Sequence, residues 1–483
     1  MLTTKQVNDL QSTLMSEYGS QAKTGWNYFI SNTDTVPIFR RTSISPLKQD
    51  SLVNVHSDFM GVVVEQKVGY IGAVNVYLEN NDAISDSLLS KTNTFLEDFQ
   101  KANQSEVKAP ETIRWTAAEG LSHRIMYLKN GKPRIKNLHG WQVLYDFEDD
   151  IYNPDAAFVF YRTTDVFGKT EERMDVYTSD LVEYYYKFNN KWQPRVPEGK
   201  SDNTEQHFMG RVPVFPVFNN EMHTPDCPKS VVMLIDAYDE TQSDVLSELK
   251  ASRLAFLKIW GEPYTGYRLD SEGNFQLDGD GNKIPISIPE YMREFGALVF
   301  KTDDDGKPQG DAQFLLKQMD DAVIEHNLDR LREQVFQGSQ AVDERTMLQG
   351  ANQRVIAIKS AYDKLDKKCQ TFEKYMTSAL RVQYEILFTL VLEKMLPGYS
   401  ITQEEYDLII DGLVYMYDHA DIVDPEIEAR VLSINLQNMS RIDAYSFHPL
   451  ITDPVGMSER YQEEIESGLY LPGMEPVIAE TVV

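Results

Sequence analysis

The chain has 483 residues, 42% of them hydrophobic and 11% aromatic, a composition that excludes intrinsic disorder and leaves room for about two to four domains or subdomains. Its formal net charge of −28 excludes tight nucleic-acid gripping by the chain as a whole, because that affinity comes from neutralising phosphates. An acidic chain can still enclose a duplex without holding it, and otherwise the charge serves solubility.

The N-terminus, Met1-Leu-Thr-Thr-Lys-Gln6, lacks the apolar core of a secretory leader, and no stretch reaches the about 18 apolar residues of a membrane span. No membrane association is therefore expected. Residues 7–18 read as a short amphipathic helix. Phe59 to Gly72 is apolar with one polar interruption and reads as a helix whose glycines predict close packing. Residues 84–103 and 115–122 read as two more helices.

From His123 the period changes. His123 to Leu128, the turn Asn130-Gly-Lys-Pro133 and Arg134-Ile-Lys136 predict a hairpin. Ala157–Tyr161, Arg173–Tyr177 and Leu181–Phe188 follow as strands of an antiparallel meander. The polar stretch 194–206 reads as a loop. Arg211 to Phe218 reads as an extended edge piece, because its prolines exclude a central strand.

Pro228 then opens a helix. Ile235, Tyr238, Val245, Leu249, Phe256 and Ile259 fall on one helical face, and Gly261 and Pro263 end it. Residues 264–316 switch to short strands and turns. A helix over 322–338 follows, then a loop from Gly338 to Gly350. Residues 351–396 next run without a single Gly or Pro until Pro397-Gly398. Unbroken, that helix would span roughly 70 Å at about 1.5 Å per residue. Residues 402–418, 424–438 and 457–467 read as further helices.

Two helical stripes carry information. Ile324, Leu328, Leu331 and Val335 repeat at four-three-four, and Ile358, Tyr362, Leu365, Cys369, Phe372, Met376 and Ala379 repeat at four-three. Such narrow seams suit a neighbouring helix, and their length favours packing between subunits or between long helices over an ordinary core stripe. The connector 338–350 exceeds the about two to eight residues usual between helices, which favours a projecting functional loop.

Motifs for chemistry are weak. Asp278-Gly-Asp-Gly-Asn282 resembles a calcium loop, but the required Gly and Glu positions hold Lys283 and Pro289, so a hairpin turn is expected. Phe167-Gly-Lys-Thr170 lacks the first glycine of a phosphate-binding loop and sits between strands. The eight histidines show no metal spacing. The two cysteines, Cys227 and Cys369, form neither a disulfide framework nor a zinc site and point to a reducing site of synthesis. No catalytic residue, metal ligand or cofactor is expected, and the chain reads as a non-enzyme.

Val212-Pro-Val-Phe-Pro-Val-Phe-Asn-Asn220 followed by Ser230-Val-Val-Met-Leu-Ile-Asp-Ala-Tyr-Asp-Glu-Thr-Gln-Ser-Asp244 resembles a signature of portal proteins from tailed double-stranded-DNA bacteriophages, of the siphophage type. Asn327–Arg332, Ile358–Leu365 and the Val-Glu-Gln-Lys-Val-Gly-Tyr core of Phe59–Ile71 fit as well, so the resemblance covers roughly residues 55–400. Gln349-Gly-Ala-Asn-Gln-Arg354 departs from the family's glycine-rich approach to its long helix.

The resemblance implies an α+β, portal-like subunit with an α/β wing (1–227), a helical stem (228–261 and 318–338), a small β-rich clip (262–317), a tunnel loop (339–351), a very long kinked helix (352–396) and a helical C-terminal crown (397–483). It implies a homo-oligomeric ring, dodecameric, at one capsid vertex of the virion, assembled in the host cytoplasm. Double-stranded DNA would pass through it unaltered. The clip would dock the terminase large subunit and then a head-tail adaptor, and capsid and scaffolding proteins would surround the ring. The implied channel residues are Gln340, Asp343, Glu344, Arg345, Met347, Gln349 and Arg354 on the loop, with Lys250, Arg253 and Lys258 on the stem. Those of the clip are Tyr267, Phe275, Asp278 and Asp280. The alternatives are a capsid-associated enzyme, such as a metal-dependent nuclease or hydrolase, and a monomeric adaptor or scaffold protein.

Overall fold

The computed structural model describes residues 4–42, 52–80, 84–164, 166–252, 256–261, 263–264, 266–270, 272–288, 290–291, 299–300, 302, 307, 309–315, 321–343, 345, 355–396, 398–419, 425–446, 451 and 454–466. The chain forms two compact units. One comprises Met1–Asn32, Asp58–Val232 and Val335–Val483, and the other Thr33–Ser57 and Met233–Gln334.

In the first unit, the expected hairpin forms between strands Leu121–Lys129 and Lys132–His139. Its two turn residues, Asn130 and Gly131, have φ of 53° and 71°, the left-handed pair that a tight hairpin requires. Val214–Phe218 joins the outer side of Leu121–Lys129, with Pro216 opposite His123. Proline cannot donate to a ladder, and here it lies on an outermost strand, as its chemistry demands. The meander is Val143–Asp146, Ala156–Thr164, Thr170–Tyr177, Leu181–Phe188 and Lys191–Pro194. The polar stretch after it is not all loop: Thr204–Gln206 pairs with Leu181–Phe188. One meander face buries Phe158, Phe160, Met174, Val176 and Tyr185 against Val7 and Leu14 of the N-terminal helix Thr4–Leu14.

His123 lies inside this core. Its Nε2 donates to the Gly140 carbonyl at 3.3 Å, and its Nδ1 accepts from the Tyr145 hydroxyl at 3.0 Å. Burial pushes its pKa down to about 3, with the Gly140 carbonyl offsetting part of that. The unfolded ring takes up a proton near pH 6.5, so the stability held by the neutral ring is lost as pH falls from 6.5 toward 3. His123→Gln should therefore flatten the pH dependence of urea stability between pH 6.5 and 4 by about 1.4 kcal/mol per pH unit, the value of one proton.

The Phe59–Ile71 helix forms as expected, and two of the three glycines of the stretch Phe59–Gly72 make the predicted close contacts. A Cβ on Gly61 would run into the carboxylate of Asp58, the helix cap, and one on Gly72 into the Asp418 backbone carbonyl, whereas one on Gly69 would meet nothing within 4 Å. The long helix runs Val355–Leu392, 38 residues or about 57 Å. It stops short of Pro397 because Lys394 turns left-handed at φ 57° and Met395 N–H bonds back to Leu390 O at 3.0 Å, a Schellman ending. Leu365, Cys369, Phe372, Met376 and Ala379 are at most 1% exposed. This seam is thus the core of the chain itself, packed beside Val214–Phe218 and Phe59–Ile71, and the expectation of intersubunit packing on it is corrected. Ile358 has no described side chain. The helix expected over 402–418 is also corrected. It spans Gln403–Gly412, and Leu413–Tyr417 is a strand antiparallel to Val74–Leu78, a strand the sequence reading did not assign. Val414, Tyr415 and Tyr417 are residues that fit a pleated surface better than a helix.

The larger segment of the second unit begins with Met233 in helix Lys229–Ser252 and ends with Gln334 in helix Asp321–Ser339. The first of these helices is seven residues shorter than its apolar face predicts when that face is carried to Ile259. Phe256–Trp260 is instead a strand paired with Asp311–Leu315, so the β module starts before residue 262. Phe-Leu-Lys-Ile-Trp satisfies both periods over five residues, and pairing with a distant strand decides between them. Within the helix Lys229–Ser252, Asp239 is fully buried. Its Oδ1 accepts from Ser57 N–H at 2.9 Å, and its Oδ2 stands 2.6 Å from His56 Nδ1.

Candidate functional site

The connector after helix Asp321–Ser339 begins as a fixed structure. Gln340 adopts φ 55°, its N–H reaches Gln337 O at 3.3 Å, and Ala341 N–H reaches Phe336 O at 3.0 Å. This is a Schellman cap made without glycine. Ser339 is 2% exposed, and its hydroxyl returns to Val335 O at 2.8 Å. Val342 is 4% exposed and is held by both of its backbone polar groups. Its N–H donates to Gln66 Oε1 at 3.0 Å, and its carbonyl accepts from Gln66 Nε2 at 2.7 Å. One side-chain amide thereby replaces a strand neighbour. Gln66→Leu should leave both Val342 groups without partners, which costs about 1–3 kcal/mol. Hydrogen exchange of the Val342 amide, set against that of the long helix, reads this directly.

Below that anchor lies a buried charge node. Lys67, on the Phe59–Ile71 helix, is fully buried. Its Nζ donates to Asn219 Oδ1 at 2.5 Å, stands 3.4 Å from Asp226 Oδ1, and lies 4.4 Å from the centre of the Phe372 ring. Lys368, on the long helix, stands 2.9 Å from Asp226 Oδ2 and donates to Ser339 O at 2.9 Å. Asn219 Nδ2 donates to Asp226 Oδ1 at 2.8 Å, and Asp226 N–H to Ala117 O at 2.8 Å. Burial alone would raise the Asp226 pKa, but Lys368, Lys67 and the Asn219 amide outweigh it and hold the carboxyl below its usual range. Burial lowers the Lys67 pKa, with Asp226 opposing. The node therefore joins three elements at the place where the connector begins.

The predicted loop residues divide. Gln340 is exposed but belongs to the cap, so the anchored root of the connector runs through Val342. Asp343 Oδ1 accepts from Arg345 N–H at 3.1 Å, and Arg345 is exposed. Glu344, Met347, Gln349 and Arg354 lie outside the described residues, as does Arg253. Lys250 is exposed near the end of helix Lys229–Ser252. Lys258 is not on a helix as expected, because it lies in strand Phe256–Trp260 opposite Gln313.

The predicted clip residues fall into two local pairs, Tyr267 with Phe275 and Asp278 with Asp280. Tyr267 and Phe275 are 44% and 49% exposed, and their rings meet edge-on at 6.1 Å beneath the Lys283 ammonium. Asp278 Oδ1 accepts from Asp280 N–H at 3.0 Å and Asn282 N–H at 2.8 Å, the hairpin-like turn expected in place of a calcium loop. Asp270 repeats this with Glu272 and Asn274, both at 2.9 Å. The Asn274 and Asn282 amides are the largest of the interactions holding Asp270 and Asp278, respectively, below the usual carboxylate range. Sequence reasoning missed the eight-residue repeat behind this, Leu269-Asp-Ser-Glu-Gly-Asn274 and Leu277-Asp-Gly-Asp-Gly-Asn282. It also missed the closure that the repeat produces. Gln276 N–H bonds Arg268 O, Ile284 N–H bonds Gln276 O and Arg268 N–H bonds Ile284 O, at 2.9, 3.0 and 2.9 Å. Three short extended segments are thereby joined in a ring.

Sequence reasoning also missed Gln66, Lys67, Asn219, Asp226 and Lys368. Lys67 is the one with a signal, a cation amid an apolar helix. Among the described residues, no three His, Cys, Asp or Glu side chains gather to hold a metal, and no helix is long and apolar enough to cross a membrane.

Comparison with known proteins adds two findings. Residues 37–468 match a family model described as "Phage portal protein, SPP1 Gp6-like". The chain is also similar to the portal protein of Bacillus phage SPP1, 23% identical over 330 residues, which is 66% of this chain and 58% of that protein.

Proposed function

This chain belongs to the SPP1 Gp6-like phage portal protein family, and on that premise we propose that it is the repeating subunit of a ring at one capsid vertex through which double-stranded DNA enters and leaves. The observation that carries the reading is the family match over 37–468, which takes in both helices flanking the β module and the long helix. The role is structural, with no bond of the DNA made or broken. We propose twelve subunits, with a terminase large subunit and later a head-tail adaptor docking on Tyr267, Phe275, Asp278 and Asp280. The half-exposed rings and turn acids support this docking role. Capsid and scaffolding proteins surround the ring, which assembles in the host cytoplasm and stays in the virion.

Asp343, Glu344, Arg345, Met347, Gln349 and Arg354 form the part that meets DNA, with Gln340 at its root. This is supported by an anchor that ends at Val342 and by the exposure of Arg345. On the stem, Lys250 and Arg253 supply basic bands on an acidic wall. A ring repeats each side chain, so a single residue becomes a band around the channel.

Negative-stain imaging of the purified protein tests the reading. Rings with a central hole are expected, and a protein that stays monomeric would overturn it. Arg345→Glu should leave rings intact and lower both packaging rate and packaged DNA length, and unchanged packaging would remove the loop from the channel.

A further inference from the structure

We infer that the cavity at the end of helix Asp321–Ser339 is a binding site for a phosphate group, with Lys368 as its cation. The cavity has a volume of about 270 Å³ and lies wholly in the first unit. Its walls include Asn219, Asn220, Thr224, Asp226, Lys368 and Thr371. The Lys368 side chain is 10% exposed and that of Lys67, behind it, is fully buried.

The charges do not balance. Two lysines share one carboxylate, and among the described residues neither lysine pairs with a second acid. Cys227 and Cys369 stand nearby and do not supply the missing negative charge. Burial pushes both thiols up to about 12, so they are neutral. A buried excess of positive charge beside an open polar cavity is costly unless an anion joins it.

The surroundings suit an oxyanion. An ammonium has three donors, of which Lys368 gives one to Ser339 O while Asp226 Oδ2 stands at ion-pair distance, 2.9 Å. The Asn220 amide gives one N–H to Thr224 O and keeps another. Pro228 also lines the cavity, so the positive end of the 24-residue helix Lys229–Ser252 opens there, as does the carbonyl end of helix Asp321–Ser339, whose Ser339 O is already taken by Lys368. A phosphate group has the charge and the several acceptor oxygens to use these donors together, and the cavity has room for it and for bridging water.

The inference stands on the cavity and its charges and does not require a channel. The same chemistry arrives either as inorganic phosphate or as the backbone of a DNA duplex, and the test separates them. The full-length protein is titrated with inorganic phosphate at constant ionic strength by calorimetry. Saturable binding at about 1 mM or tighter is expected. Thr371→Glu places a negative charge in an exposed wall without touching the node, so the fold should persist while binding weakens about ten-fold or more. Lys368→Met removes the cation and should do the same. A short duplex that competes for the site assigns it to the DNA backbone, and a duplex that does not compete assigns it to the free ion. No saturable binding, or binding equally strong in folded Thr371→Glu, would overturn the inference.

Discussion

Asp226→Ala should destabilise the protein by about 3–5 kcal/mol, the cost of breaking a buried ion pair by removing one partner. The substitution leaves Lys67 and Lys368 facing each other across a buried space with no carboxylate between them. It also strips Asn219 of an acceptor and loosens the link from Lys368 to Ser339 O. Lys67 is fully buried, so it has no route to water short of deprotonation. Urea denaturation measures the loss, and a midpoint close to that of the unsubstituted protein would mean the lysines are neutral in the fold. The same node predicts acid sensitivity. Its carboxyl lies below its ordinary range in the folded state, so its contribution is complete above the unfolded value near 3.9 and is lost as pH falls through the folded value. Asp226→Asn should remove that part of the acid transition.

Phe372→Ala should cost about 3–5 kcal/mol, the range for an aromatic removed from a fully packed core. Phe372 is 0% exposed and lies midway along the buried stripe of the long helix, so the space it leaves cannot collapse without moving the helix. It also carries the ring beneath the Lys67 ammonium, so the substitution removes a cation–π contact along with the packing. Because the stripe lies within one chain, the loss should appear in the isolated subunit as well as in any assembly. A loss confined to assembled protein would return the seam to a subunit interface.

Much of the fold is legible in the sequence wherever a strong local signal exists. Asn130-Gly131 announces its hairpin, Pro216 its outer strand, and the apolar run from Phe59 its helix. The failures share a cause. Phe256–Trp260 and Leu413–Tyr417 are short apolar runs compatible with either period, and each becomes a strand through a partner 50 or more residues distant, Asp311–Leu315 or Val74–Leu78. No local pattern encodes those partners. The long-helix stripe favours a neighbouring subunit or long helix when met as sequence, and it is core instead, because a repeat cannot say whose surface covers it.

The candidate site was legible as a segment and not as a mechanism. The length and polarity of 338–350 singled out the connector, yet its fixed root depends on Gln66, more than 270 residues earlier. The node is likewise assembled from positions 67, 219, 226 and 368, which are unremarkable one by one apart from Lys67 amid its apolar neighbours.

The ring of three extended segments at 266–286 has a consequence for concentration. A strand with open N–H and C=O groups is a template for other chains, and a protein gathered in many copies presents that hazard many times over. Here Arg268, Gln276 and Ile284 spend their backbone groups on one another, so these three positions are closed to a ladder with another chain however crowded the copies become.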